Sequence, residues 1–144
     1  MYITVQCKRK SGDCVIQCYG YELNEEICQC TCYTNDKGKE WVITKWFVNP
    51  GHQHKRYGFE ILQKALSELT TRYGSPRKIT YIWNGVNNYV LEWLQKRFDA
   101  ECLCPLVILK TQAEDNWESH VYQLNKEKVL TYFELTDDTR NNGL

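Results

Sequence analysis

The sequence predicts an α+β fold, a mixed central sheet of about seven strands with two main helices. Three observations carry that expectation. Before residue 49, short runs rich in Val, Ile, Thr, Tyr and Cys alternate in character and are broken by polar turns, as in hairpin-linked strands. An apolar run, Trp41 to Val48, then leads through a polar loop into an amphipathic helix, and a further strand pattern, Lys78 to Trp83, follows it. Strand, helix and strand in sequence form a parallel right-handed crossover. Finally, a second amphipathic stretch and two more strand patterns complete the chain.

Each element has its own justification. Met1 to Arg9 alternates Tyr2, Thr4 and Gln6 against Ile3, Val5 and Cys7, a first strand. Ser11-Gly12-Asp13 is a turn signal, and Cys14 to Leu23 reads as the second strand. Asn24-Glu25-Glu26 is a polar hairpin turn before a third strand, Glu26 to Tyr33. Asn35-Asp36-Lys37-Gly38 turns the chain into the fourth strand, Trp41 to Val48, rich in β-branched and aromatic residues. The helix from Tyr57 to Arg72 carries Leu62, Ala65, Leu66 and Leu69 on one face, and Gly74 and Pro76 stop it. Lys78 to Trp83 is the fifth strand. A second helix is capped by Asn87 or Asn88, with Val90, Leu91, Trp93, Leu94 and Phe98 apolar. Cys102 to Lys110 and Ser119 to Leu124 are the last strands, and Lys126 to Leu135 forms a short helix. The expectation is one domain over residues 1–135 and a polar, frayed tail over 136–144.

Composition narrows the class. Hydrophobic content of 42% with 25% charged residues is ordinary for a soluble globular protein. Eighteen basic and 18 acidic residues balance, so electrostatics gives no case for nucleic-acid or anionic-membrane partners. No apolar run approaches the length of a spanning helix, and Met1 to Val5 is too short for a signal peptide, so a cytoplasmic location is expected. Eight cysteines are present, but no Cys-x-x-Cys pair. Cys28, Cys30 and Cys32 alternate, as do Cys102 and Cys104, which puts each set on one strand face as small buried hydrophobes rather than metal ligands or disulfides.

The chemistry concentrates in one loop. Val48-Asn49-Pro50-Gly51-His52-Gln53-His54-Lys55-Arg56-Tyr57-Gly58 joins a strand to a helix start. The first N–H groups of a helix lack intrahelical acceptors and face outward, and the helix dipole adds partial positive charge there, so the junction suits an anion. His52 and His54 fit as donors to phosphate or ribose oxygens, and lack further ligands at a metal-binding spacing.

The register Val48-x-Pro50-x-x-Gln53-x-x-Arg56-x-Gly58 resembles the coenzyme A pyrophosphate loop of the GNAT N-acyltransferase superfamily. Arg56 stands where that family usually has its first glycine, and there it points outward or reaches a phosphate itself. The element order β-β-β-β-α-β-α-β-β is close to the GNAT core from about Val15 to Leu124, and Asn87, followed three residues later by Val90, matches the family's Asn after its fifth strand.

The resemblance implies acetyl-CoA as co-substrate, with Trp46, Phe47, Val48, Gln53, His54, Lys55, Arg56, Tyr57, Gly58 and Asn87 around it, and acetyl transfer to an amine. The backbone of Trp46 to Val48 would pair with the pantetheine arm and polarise the carbonyl. Two departures stand out. Only Lys8 to Asp13 separates the first two strands, where the family carries helices that build its acceptor site. Leu94 occupies the position of the family's acid tyrosine, leaving Tyr89 as the substitute, and Glu40 is the one carboxylate near the fourth strand for the base. The acceptor side is then open, suited to a protein or peptide, or closed by a second subunit in a homodimer. A non-catalytic module that keeps the fold and binds a partner or a CoA-like ligand is the alternative.

Overall fold

The computed structural model describes residues 1–10, 12–35, 37–83, 88–103 and 120–135. Among these, the strands are β1 (Tyr2–Lys10), β2 (Asp13–Glu22), β3 (Glu25–Thr34), β4 (Glu40–Val48), β5 (Lys78–Trp83), β6 (Glu101–Cys102) and β7 (His120–Leu124). The helices are α1 (Tyr57–Tyr73), α2 (Asn88–Phe98) and α3 (Lys126–Tyr132). They form one seven-stranded sheet of order β1-β2-β3-β4-β5-β7-β6. The fold class is the expected one, a mixed α+β sheet. The β4–β5 pair is parallel and every other pairing is antiparallel.

Local chemistry explains the boundaries. The β2–β3 hairpin closes over Leu23 and Asn24, both with positive φ (51° and 69°), the two-residue turn whose twist matches its strands. That is one residue earlier than the expected Asn24-Glu25-Glu26 turn. Helix α1 buries Ile61, Leu62, Ala65, Leu66 and Leu69, and Gly74 ends it at φ 75° with its N–H donating to the Thr70 carbonyl at 2.8 Å. Asn125 caps α3, its side-chain oxygen accepting from the Lys128 N–H at 3.1 Å. Lys10 pairs with Asp13, so the β1–β2 link leaves no room for a helix. Most of the sixth strand expected over residues 102–110, and the tail 136–144, lie outside the described residues.

Cross-strand partners share a sheet face. Val5, Cys18, Cys30 and Trp46 fall in one row of the inner face, where α1 packs. Trp93 of α2 meets Trp46 there, with ring centroids 5.9 Å apart. Tyr132 at the end of α3 and the adjoining Phe133 pack on Phe59 of α1 and Phe98 of α2. The described helices therefore share one face. The opposite face of β1–β4 presents rows such as Thr4, Tyr19, Gln29 and Phe47, with no described helix over it.

Cys14, Cys18, Cys28, Cys30 and Cys32 are fully buried on the inner face. Burial pushes the Cys18 thiol up to about 12 and Cys28 to about 11, so both stay protonated at neutral pH. Cys102 departs from the expected core role. It is exposed, because β6 is an edge strand paired over only two described residues. Cys104 lies outside the described residues.

Candidate active site

An irregularity in β4 builds the site. Lys45 pairs with Thr31 and Ile43 with Cys32, so Thr44 is an extra residue, a β-bulge, and its hydroxyl donates to the Thr31 carbonyl at 3.3 Å. The parallel pairing of β4 with β5 runs from Glu40–Lys78 to Ile43–Tyr81 and ends there, at the residue before the bulge. A bulge bends its strand and increases local twist, which is the physical reason for the two strands to part at this point. Trp46 to Val48 then has β3 on one side and an opening on the other.

The loop after β4 is fixed in an unusual form. His54 and Arg56 are non-glycine residues at φ 67° and 65°, and Gly51 lies at φ 93°. Such conformations cost a side-chain-bearing residue about 1–2 kcal/mol each. Arg56 is the N-cap of α1, and its carbonyl accepts the first intrahelical bond, from the Glu60 N–H at 3.0 Å. The N–H groups of Tyr57, Gly58 and Phe59 have no intrahelical acceptor by helix geometry, and they carry the positive end of a 17-residue helix. The Gly58 carbonyl accepts from the Trp46 indole at 2.8 Å, locking the helix start to β4.

Together these elements enclose a cavity of about 690 Å³. Trp46, Phe47 and Val48 form one wall and the loop a second. The start of α2 supplies the third through Tyr89, Val90 and Trp93. An opening between parallel strands that leads onto a helix N-terminus suits a long ligand with an anionic end.

Residues 4–98 match the family model described as Acetyltransferase (GNAT) family. The chain belongs to the GNAT family. No curated protein sequence matches it closely enough to count as a relative. Among solved structures, PaiA N-acetyltransferase from Thermoplasma acidophilum, in complex with coenzyme A, aligns with TM-score 0.56 and 9% identity over 76% of this chain and 60% of that one. A proposed streptothricin acetyltransferase from Bacillus anthracis str. Ames, in complex with acetyl coenzyme A, gives 0.58 and 14% over 76% and 61%. An acetyltransferase from Bacillus cereus ATCC 14579 gives 0.55 and 9% over 78% and 73%. The chain thus spans less than two thirds of the length of the two CoA-bound structures, and at these identities the likeness is one of fold.

Most of the site residues expected from the GNAT resemblance come together. Trp46, Phe47, Val48, Gln53, His54, Arg56, Tyr57, Gly58 and Tyr89 line the one cavity. Lys55 is not among the lining residues; its ammonium lies 6.0 Å from the Tyr57 ring centroid. Asn87 lies outside the described residues. Glu40 is not brought to the cleft. It opens β4 at the end remote from Val48, roughly 25 Å away along an extended strand, and pairs with Arg77 at 2.7 Å. Leu94 is fully buried, so no acid stands in that position.

His52 lines the same cavity, as do Phe59, Val90 and Trp93, which the loop motif does not reach. Val90 and Trp93 belong to the apolar face of the second helix, and the splay between β4 and β5 turns part of that face toward the cleft. Arg56 places its guanidinium 4.5 Å from the Phe59 ring centroid, a stacking partner that also holds it at the cavity rim. Tyr81 stands where the strands part, edge-on to Trp46 at 6.4 Å, and burial, with Cys30 nearby, pushes its phenol up to about 12.

Proposed function

We propose that the protein is an N-acetyltransferase that moves an acetyl group from acetyl-CoA to an amine of a protein or peptide. The observation that supports it most is the joining of three features in one cavity: the bulge-opened gap between β4 and β5, the left-handed loop, and the free N-terminus of α1. In this reading the pyrophosphate lies on the N–H groups of Tyr57, Gly58 and Phe59, with Gln53, His54, Arg56 and, from the rim, Lys55 around it. Asn87 and the backbone of Trp46 to Val48 hold the pantetheine arm, whose amides add to the open edge of β4 as a short strand would.

The amine nitrogen attacks the thioester carbonyl, whose oxygen gains charge and is met by a β4 backbone N–H. The C–S bond breaks, the amine loses a proton to water, and the leaving thiolate takes one. In this reading Tyr89, 71% exposed and lining the cavity from α2, supplies it through its hydroxyl. Glu40 has no part in this scheme.

The face of β1–β4 that no described helix covers favours a large acceptor. A small amine binds where walls surround it, and this side of the cleft has none among the described residues. Its rows of Thr, Gln and Tyr side chains offer hydrogen bonds and flat aromatic surface without a concentration of carboxylates that a polyamine would need. The reading carries with it a cytoplasmic location and a single domain over residues 1–135. No described helix is long and apolar enough to cross a membrane.

The second reading, a CoA-binding module without turnover, is favoured by buried Leu94 and by the distant Glu40. One assay separates the two. Thiol release from acetyl-CoA is followed with peptides and whole proteins in one set, and polyamines, aminoglycosides and free amino acids in another. Turnover of the first set is expected. Turnover only of the second points to a cleft closed by a second subunit, and CoA binding without turnover of either selects the module.

A further inference from the structure

The tip of the β2–β3 hairpin makes a second set of contacts with the loop. The Tyr57 hydroxyl donates to Glu22 Oε2. The other oxygen of the same carboxylate lies 3.2 Å from His52 Nδ1, and His52 Nε2 lies 3.6 Å from Glu25 Oε1. The Nδ1 contact is close but poorly aligned for a hydrogen bond, so it acts as a charge contact when the ring is protonated. Asn49 adds backbone and side-chain bonds to the same hairpin, from its N–H to the Ile27 carbonyl at 2.8 Å and from Nδ2 to the Glu26 carbonyl at 3.1 Å. These contacts bracket the loop at residues 49, 52 and 57, and the strained residues His54 and Arg56 lie between the last two. Strain of that kind persists only where the surroundings over-determine the backbone.

We infer that Glu22 is a positioning residue: through Tyr57 and His52 it clamps the ends of the strained loop segment and so holds the backbone N–H groups of the helix start ready for an anionic ligand. Nothing in the sequence pattern of the loop points to this carboxylate, which comes from a different hairpin. A carboxylate beneath an anion site opposes binding by its charge, so its presence calls for a compensating role, and the contacts supply one. Glu22 is itself shielded by the partners it holds: the Tyr57 hydrogen bond first, then Lys55 and His52, draw its carboxyl below the usual range. The functional half of the inference rests on the CoA-binding reading above; the clamp itself does not.

The experiment uses the full chain in two parts. Hydrogen exchange of the free protein reads the clamp without any ligand. In Glu22→Ala, amides of residues 49–58 are expected to exchange at least tenfold faster than in the parent, while those of β3 and the middle of α1 keep their rates. Calorimetry with CoA reads the consequence, an expected tenfold rise in Kd, and in turnover the KM for acetyl-CoA rises while that for the acceptor stays put. Tyr57→Phe is the second variant, losing one arm of the clamp, with an effect in the same direction. Combining the two substitutions should add little beyond Glu22→Ala, because both remove one interaction. Loop exchange and CoA affinity both within twofold of the parent in Glu22→Ala would overturn the inference. So would a rise in exchange spread evenly over the chain, which marks lost global stability. If the parent protein does not bind CoA, the proposed function fails, and the exchange data still decide the clamp.

Discussion

Arg56 holds a backbone conformation in which a side chain is a cost, at the position where the GNAT loop usually has glycine. Arg56→Gly separates the two sides of that cost. Relief of the left-handed strain is worth about 1–2 kcal/mol. Against it stand the freer unfolded chain of glycine, about 0.5–1 kcal/mol, and the lost stack on Phe59, about 0.5–1 kcal/mol at an exposed site. The terms nearly cancel, so denaturant unfolding should give a stability within about 1 kcal/mol of the parent. CoA affinity should nevertheless drop about tenfold or more, since a hydrogen bond to a charged group is worth about 1.5–3 kcal/mol. Unchanged affinity would place the guanidinium away from the phosphates. The Glu22–Tyr57 bond makes a separate prediction in pH. The Glu22 carboxyl lies below its ordinary 4.5 when folded, so its contribution to stability is present above that pH and fades as pH falls through the folded value. Tyr57, raised above its ordinary 10.0 chiefly by the same bond, contributes fully below pH 10 and loses its share as pH rises through the folded value. The stability gap between the parent and Tyr57→Phe should therefore be widest near neutral pH and shrink in acid and in strong base. A gap that does not change with pH in urea titrations would show that the ring's packing, not the bond, carries it.

Among the elements, β4 decides the site, and its bulge is legible in the spacing of its apolar residues. Trp41 and Ile43 face inward at odd positions, while Trp46 and Val48 face inward at even ones. A shift of parity inside one strand requires an extra residue between the two pairs. Removing Thr44 tests the assignment. The shortened strand regains strict alternation with the same residues inward, and pairing with β5 can run on past Tyr81. The variant should fold with an unchanged or higher Tm and bind CoA at least tenfold more weakly. A Thr44 deletion that binds CoA normally would detach the bulge from the cleft. Among the described residues, the other strand and helix positions are readable from alternation and from stop signals such as Gly74 and Pro76. The exposure of Cys102 is not, since alternation shows which residues share a face and cannot show whether anything covers it. Glu40 opens β4, and the length of the extended strand separates it from the cleft at Val48.

At the scale of the whole molecule, the sheet carries its described helices on one face, and among the described residues no helix covers the other, where β1 turns straight into β2. The short link that pairs Lys10 with Asp13 and leaves no helix between β1 and β2 is readable from the number of residues between the two strand patterns. Glu22 is not, because only the folded sheet brings the β2–β3 hairpin under the β4–α1 loop. The whole account turns on one claim, that the cleft at the start of α1 takes the pyrophosphate of CoA. Calorimetric titration of CoA into the parent protein and into Gly58→Val tests it most directly. A β-carbon at Gly58 meets only ordinary contacts, Val48 Cγ2 at 3.6 Å and the Trp46 indole nitrogen at 3.8 Å, so the fold has room for it. The branched methyl groups of valine would crowd the helix start where the phosphates lie. The account expects saturable binding to the parent, with a stabilisation of about 2.7 kcal/mol at one hundred times Kd, and binding to Gly58→Val weakened tenfold or more with the fold intact. No heat and no thermal shift at millimolar CoA, or equal affinity in the two proteins, would contradict it.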